Sequence, residues 1–505
     1  MKKWIVIAVV AALLLAGMGV GWRAMTQNPH DLGLAGLAKA AGEAYVFGYP
    51  LVLMDATREQ MFADAGLTGY PDVAPNQFVH IRIPPEAGHE AVVRPNVDTL
   101  YSIAWLDLSD GPVVMRWPDM QDRYWVYQVL DAWTDVAGAP GTRTTGNDAG
   151  GVVITGPGQE VPALDGMAHM PVATEMAWVI GRIEVAPDED LAPVHVLQDG
   201  FTLPVDSVGY SPAPGEHGQR PPDQVAAMPP EVFFNRLAAL MQDNPPRPAD
   251  RAAVDQQSDN GQASEQTVRE SADFGWLAGW AMDRADEQTA VEQLHAIGFA
   301  PDLSAYDTGD FGWLARWTMD RGVGLARRLL VRETRQQSLP HGPTNWLMMR
   351  SGPGDYGTDY ELRAGVALIG LGANLPADAI YPNTSIDSEG RGLHGRHAYR
   401  LHFAPDELPP VHAFWSLTLY DENGFLVDTG TGRYALGDRD DLGYDEDGGL
   451  TLHVGAEPPR DLPESNWLPA PAGEPFALTA RLYWPKDRAL HGDWVMPPVE
   501  RVSPK

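Results

Sequence analysis

Alternation with a period of two residues is the feature that most limits what this chain can fold into. At Phe476–Tyr483, Phe476, Leu478, Ala480 and Leu482 alternate with Ala477, Thr479, Arg481 and Tyr483, behind a turn rich in Pro and Gly. Side chains on a strand point alternately to its two faces, so this stretch predicts a strand with one apolar face. Shorter runs of similar texture, separated by Gly, Pro and Asp, fill Asn76 to about Pro204: Val113–Trp117, Tyr124–Leu130, Gly151–Thr155 and Met176–Ile183. The pattern returns after Tyr381 and lasts to Trp484. Two separate β regions with such spacing predict antiparallel sandwiches or barrels.

Between and before them the chain reads as helical. Leu34–Met61 predicts two helices broken at Gly48-Tyr-Pro50, the first rich in Ala and able to pack closely. Phe274-Gly-Trp-Leu-Ala-Gly-Trp-Ala-Met-Asp-Arg284 recurs as Phe311-Gly-Trp-Leu-Ala-Arg-Trp-Thr-Met-Asp-Arg321, with nine identities in eleven at a separation of 37. The first copy carries the polar tract Gln256–Thr267 and reads as an appended insertion. The second reads as the packed copy, with Trp313 and Trp317 on one helix face directed into a core. Asp359–Gly372 predicts a further helix.

The expected organisation is an export signal or membrane anchor over 1–25, a helical lead-in over 30–66 and an N-terminal β-sandwich over 67–205. A helical segment with the tandem repeat 249–284/285–321 spans 206–335, and a helix plus the C-terminal β-sandwich span 336–505. Lys2 and Lys3 precede an uncharged run from Trp4 to Trp22, 19 residues and just long enough to cross a bilayer. That charge order keeps the N-terminus cytoplasmic and predicts a periplasmic body, free or on the outer face of the cytoplasmic membrane.

Composition narrows the function. The net charge of −32 opposes nucleic-acid phosphates and anionic lipids, so no nucleic-acid partner is expected and membrane contact is expected only through the N-terminal segment. The absence of cysteine excludes thiolate catalysis, Cys-ligated zinc, iron–sulfur clusters and disulfides. The chain has no G-x-S-x-G elbow, H-E-x-x-H helix or P-loop, and G-x-G-x-x-G at Gly352–Gly357 and Gly390–Gly395 lacks βαβ context and reads as turns.

Four stretches near the C-terminus carry a family resemblance: Tyr381-Pro-Asn-Thr384, Pro409–Tyr420, Gly432-Arg-Tyr434 and 463–485. They resemble the family called domain of unknown function 1214. Arg94-Pro-Asn-Val-Asp-Thr-Leu-Tyr101 and Asp131-Ala-Trp-Thr-Asp135 resemble signatures of its partner family, domain of unknown function 1254. The resemblance implies a mainly β fold with helical insertions: two jelly-roll-like antiparallel β-sandwich domains with a helical segment between them.

If extended, the first signature puts Arg94, Asn96 and Asp98 on one face, and the second does the same for Asp131, Trp133 and Asp135. Asp131 and Asp135 would then lie about 13 Å apart, so an acid/base pair must cross strands, for example Asp98 with Asp131. Arg94, Asp98 and Asp131 are therefore the candidate catalytic trio, with Asn96, Tyr101, Trp133, Asp135 and Arg143 as ligand-binding candidates. The bland alternative is a buried Arg94–Asp98 ion pair that organises a turn. His394, His397, His402 and His412 crowd together without diagnostic spacing, and neither a metal nor another cofactor is expected.

Three functions stay open on the sequence. One is an exported enzyme, hydrolase- or lyase-like, acting on a small molecule through a polar pocket in the N-terminal β domain. Another is a non-catalytic module for a small molecule or glycan. The last is an envelope structural protein forming a homo-oligomer through sheet edges and the duplicated helix.

Overall fold

The structure is a computed structural model that describes residues 25–27, 29, 32–63, 74–89, 93–162, 164, 166–204, 208–210, 219–251 and 289–502. The apolar run Trp4–Trp22 and the first repeat from residue 252 to Arg284 lie outside the described residues. Within the described part, no helix is long and apolar enough to cross a membrane. The fold is mostly β sheet with helices, in two compact units.

The larger unit comprises Met54–Pro221, Thr334–Tyr356 and Val366–Lys505. Its N-terminal strands are β1 (Val79–Ile81), β2 (Thr99–Asp107), β3 (Val113–Trp117), β4 (Trp125–Asp131), β5 (Val136–Gly138), β6 (Gly150–Thr155), β7 (Ala168–Pro171), β8 (Met176–Glu184) and β9 (Val208–Tyr210). They form a six-stranded sheet in the order β5-β4-β8-β2-β1-β9 and a three-stranded sheet β3-β6-β7. One core joins both sheets: Leu100, Trp125, Tyr127, Val129 and Val179 of the first lie with Val113, Met115, Val152 and Ile154 of the second.

The C-terminal strands repeat this logic as β10 (Ala379–Ile380), β11 (Asn383–Thr384), β12 (Tyr399–Phe403), β13 (Trp415–Asp421), β14 (Ala435–Gly437), β15 (Leu450–Gly455), β16 (Trp467–Pro469), β17 (Phe476–Tyr483) and β18 (Glu500–Arg501). A five-stranded sheet runs β10-β17-β13-β14 with β11 also on β17, and a four-stranded sheet runs β16-β15-β12-β18. Leu417, Leu419, Leu478, Ala480 and Leu482 share a core with Tyr399, Leu401, Leu452 and Val454.

Period two in β17 has a further consequence, because all eight of its residues are buried. The apolar parity enters the core. The other parity, Thr479, Arg481 and Tyr483, is buried on the opposite face beside Ser416, Thr418 and Tyr420 of β13. That polar face builds the site described below.

The smaller unit comprises Met1–Leu53, Pro222–Glu333 and Gly357–Gly365. Its helix α1 (Leu34–Ala63, continuing beyond the unit) runs unbroken through Pro50, correcting the expected break. Pro removes one backbone bond, at a cost of about 3 kcal/mol. Burial of every residue from Ala44 to Met54 opposes that cost. Close approaches hold α1 in place: a Cβ on Gly322 would lie 2.0 Å from the Ala38 carbonyl oxygen, and one on Gly48 2.4 Å from Leu237.

Helix α2 (Ala192–Asp199) lies in the larger unit, while α3 (Pro230–Asp243) and α4 (Ala290–Ala296) lie in the smaller one. Helix α4 starts on a complete capping box, Thr289 with Glu292. Helix α5 (Trp313–Gln337) corrects a second expectation. Trp313 and Trp317 are 55% and 50% exposed, and the helix buries Ala315, Met319, Val323, Ala326 and Leu330 instead. The i,i+4 pair does share a face, but it is the outward one.

In the larger unit His80 is fully buried, stacked on Phe78, with Nδ1 2.8 Å from the Ser102 hydroxyl. Ser102 also accepts from the Tyr127 hydroxyl at 2.7 Å, so the hydroxyls around the ring carry no charge. Burial pushes this histidine down to about 3, from 6.5. The unfolded chain therefore takes up a proton below pH 6.5 that the folded chain refuses, and stability falls as pH drops toward 3. The stability advantage of the natural protein over His80→Gln should shrink by about 2–3 kcal/mol between pH 7.5 and 4.5 in denaturant titrations. A constant difference would contradict this assignment.

Candidate functional site

The polar face of β13 and β17 lies against the second face of the six-stranded sheet, which carries Tyr101 on β2 and Arg182 on β8 in direct register. Tyr124, Val126 and Ala139 there pack with Ala379, Phe414 and Tyr483 across the same seam. A hydrogen-bonded chain crosses it. The Asn96 amide donates to Tyr483 Oη at 2.8 Å and to Tyr101 Oη at 3.2 Å. Arg182 donates to Tyr101 Oη at 3.4 Å and to Asn374 Oδ1 at 2.8 Å, and Asn374 donates to Tyr381 Oη. Each of the three phenols accepts, and among the described residues none has an acceptor for its own hydroxyl proton. Tyr101 and Tyr381 are half-buried; Tyr483 is sealed.

Among the described residues, Arg182 and Arg481 have no carboxylate partner. Arg182 ends on Asn374 and the Gly372 carbonyl, while Arg481 donates to Thr418 at 2.8 Å, Tyr420 at 2.6 Å and the Arg94 carbonyl at 3.1 Å. Burying a guanidinium without a counter-ion is costly, so dense hydrogen bonding replaces the missing charge. The cations also tune the phenols. Burial pushes Tyr101 up, but the charge and hydrogen bond of Arg182, with help from Asn96 and Arg481, outweigh it and hold Tyr101 below the usual phenol range. Burial dominates at Tyr381 and Tyr483, which are raised. One phenol thus releases its proton more readily than its neighbours, the arrangement a general acid/base needs beside anion-stabilising donors.

The expected catalytic trio does not assemble. Asp131 pairs with Ala177 at one end of β8, whereas the Asp98 carbonyl accepts from Val185 just beyond its other end. Eight residues of strand put them about 26 Å apart. Neither signature is extended as drawn. Arg94 has a left-handed φ of 55°, and Asp131–Asp135 is a tight turn closed by Thr134 N–H to the Asp131 carbonyl. The Asp131 carboxylate accepts from the backbone of Trp133 and Asp135, and Trp133 is fully buried. Asp135 accepts from the Tyr356 N–H.

Arg94 donates to Asn383 and forms no ion pair among the described residues, which also corrects the Arg94–Asp98 pairing. Asp98 instead binds Arg439 at 2.5 Å and the Ser416 hydroxyl at 2.6 Å. Arg439 donates as well to the Asp98 and Val185 carbonyls and lies 4.0 Å over the Phe414 ring. Arg143 holds Asp378 through two bonds of 2.7 and 2.9 Å. Asn96 and Tyr101 are the expected residues that enter the polar cluster. Arg182, Asn374, Tyr381, Arg481 and Tyr483 were not foreseen there; a lone Arg inside each apolar strand was the available signal. His402 meets Thr451, Asp387 is taken by Arg391 and Arg501, and no group of three potential metal ligands occurs among the described residues.

The fold and seam define a predominantly β protein whose N- and C-terminal sheets share a tyrosine- and arginine-rich contact. Residues 75–204 match the family described as "Protein of unknown function (DUF1254)", and 378–487 match "Protein of unknown function (DUF1214)"; the chain carries both, in that order. It is similar in fold to the VPA0106 protein from Vibrio parahaemolyticus, at 21% identity and a TM-score of 0.59, covering 92% of this chain and 100% of that one. An uncharacterised protein from Burkholderia cenocepacia matches at 12% identity and a TM-score of 0.42, over 93% and 95% of the two chains. No curated protein matches.

Asp98→Asn should lower stability by about 3–5 kcal/mol, because it strands the Arg439 guanidinium in the seam. In a double-mutant cycle with Arg439→Met the loss should be partly recovered. Additive losses measured by denaturant unfolding would show that the two side chains do not depend on each other.

Proposed function

We propose that the chain binds a small anionic molecule, a carboxylate or similar oxyanion, at the cluster of Tyr101, Tyr381 and Arg182. The observation that carries this reading is the set of phenol hydroxyls without acceptors beside arginines without carboxylates among the described residues. An oxyanion would satisfy both shortages at once. Tyr101 and Tyr381 keep accessible surface although protein surrounds them on most sides, which supports a recess open to solvent.

This reading moves the ligand site from within the N-terminal β domain to the seam of the two β regions. It favours a small molecule over a glycan, since the tryptophans most exposed among the described residues, Trp313 and Trp317, lie on α5 and not on a sheet. The shared cores support jelly-roll-like sandwiches for the paired sheets. Lys2-Lys3 and the apolar run support an exported or membrane-anchored body. The catalytic form of the proposal gives Tyr101 the proton transfer. In that form Tyr101→Phe loses turnover by more than its weakened ligand binding accounts for.

The test uses acetate as the probe. Raising acetate against chloride at constant ionic strength should raise the melting temperature of the natural protein, as any ligand of the folded state does. Tyr381→Phe removes a single donor and should abolish most of that increment. An equal increment in both proteins would contradict the site.

A further inference from the structure

Helix α5 carries six arginines against two acids in a chain whose net charge is −32. Arg327 is taken up by the carbonyls of Ala226 and Met228 and by the Tyr45 ring. Arg316, Arg321 and Arg328 are exposed and form no ion pair among the described residues. They share the outward side of the helix with Trp313 and Trp317, and Arg321 lies 5.0 Å over the Trp317 ring. Two tryptophans about half exposed and one helical turn apart are a costly way to face water.

The chain itself indicates what covers them. Gly312, immediately before the helix, donates its N–H to the Gln27 carbonyl at 2.9 Å. Gln27 follows the apolar run ending at Trp22 by five residues. Five residues reach at most about 17 Å, so the start of α5 is tethered that close to the end of the apolar run. Tryptophan favours the boundary between hydrocarbon and headgroups, and arginine favours anionic headgroups beside it. Within a headgroup layer the local cations act at short range, whereas the acidic remainder of the chain is screened beyond roughly 8–10 Å.

We infer that the Trp313–Trp317–Arg321 face of α5 docks on the surface of the bilayer entered by the apolar segment, with anionic lipid headgroups as its partner. The inference rests on the membrane-anchored reading. It goes beyond the expectation, drawn from overall charge, that only the N-terminal segment touches the membrane.

The absence of cysteine makes the test direct, since single Cys variants of the full chain can be spin-labelled at one site. Trp317→Cys, Val196→Cys on exposed α2 and Val10→Cys in the apolar run would be reconstituted in vesicles of phosphatidylcholine with a minority of phosphatidylglycerol. Power-saturation electron paramagnetic resonance then measures collisions with oxygen and with a water-soluble nickel chelate. Relative to position 196, the label at 317 should lose nickel collisions several-fold and gain oxygen collisions. Equal access at 317 and 196 overturns the docking, as does shielding of 317 from both reagents, which would mean protein covers it. A label at position 10 freely reached by nickel would show instead that the anchored reading has failed.

Discussion

The structure depends on one constraint: β13 and β17 are buried on both faces while only one parity of their residues is mainly apolar. β17 states the problem most sharply. Leu478, Ala480 and Leu482 enter a core, but Thr479, Arg481 and Tyr483 are buried as well and must find polar partners. An unpaired buried polar group costs on the order of 1–3 kcal/mol, and a buried cation more. A second polar face meets that demand. Asn96, just before β2, links β17 to Tyr101 and Arg182 of the N-terminal sheet by donating to both Tyr483 and Tyr101, and Asp98 fixes the join through Arg439 and Ser416. The two β regions therefore form one compact unit because neither polar face can be buried alone.

The same constraint accounts for the chemistry of the seam. Its paired members, Asp98–Arg439 and Arg143–Asp378, are closed ion pairs with a structural role. Its unfinished members stand together: phenol hydroxyls lacking acceptors and guanidinium groups lacking carboxylates among the described residues, and a tyrosine whose proton is loosened by Arg182. Closed pairs hold the sheets, and unfinished donors are available to a ligand. That division separates stability from proposed function at the level of individual side chains.

Much of the fold was legible in the sequence, because period two over Phe476–Tyr483 and helical spacing over α5 are local properties. Asn96 and Tyr101 were legible too, since they lie in an unusual polar signature. The partners of Asp98 were not. Arg439 is more than 300 positions away, and only the register of β2, β8, β13 and β17 brings the strands together. Asp131 misled because a turn and an extended strand can share one local sequence: the carboxylate expected to face a pocket instead accepts the N–H groups of its own loop. Pro50 misled in the opposite direction, since tertiary burial carried a helix through it. The direction faced by Trp313 and Trp317 was likewise set by packing, because i,i+4 spacing fixes a shared face without saying which way it points.

The central claim is that the seam offers unsatisfied donors to an anion. Crystals grown and soaked in bromide test it most directly, because bromide is located by its anomalous scattering. The account predicts an anomalous peak within roughly 3.5 Å of the Tyr101 and Tyr381 hydroxyls and the Arg182 guanidinium, the reach of a hydrogen bond to a large anion. Bromide found elsewhere, with both hydroxyls donating to protein carbonyls, would contradict it.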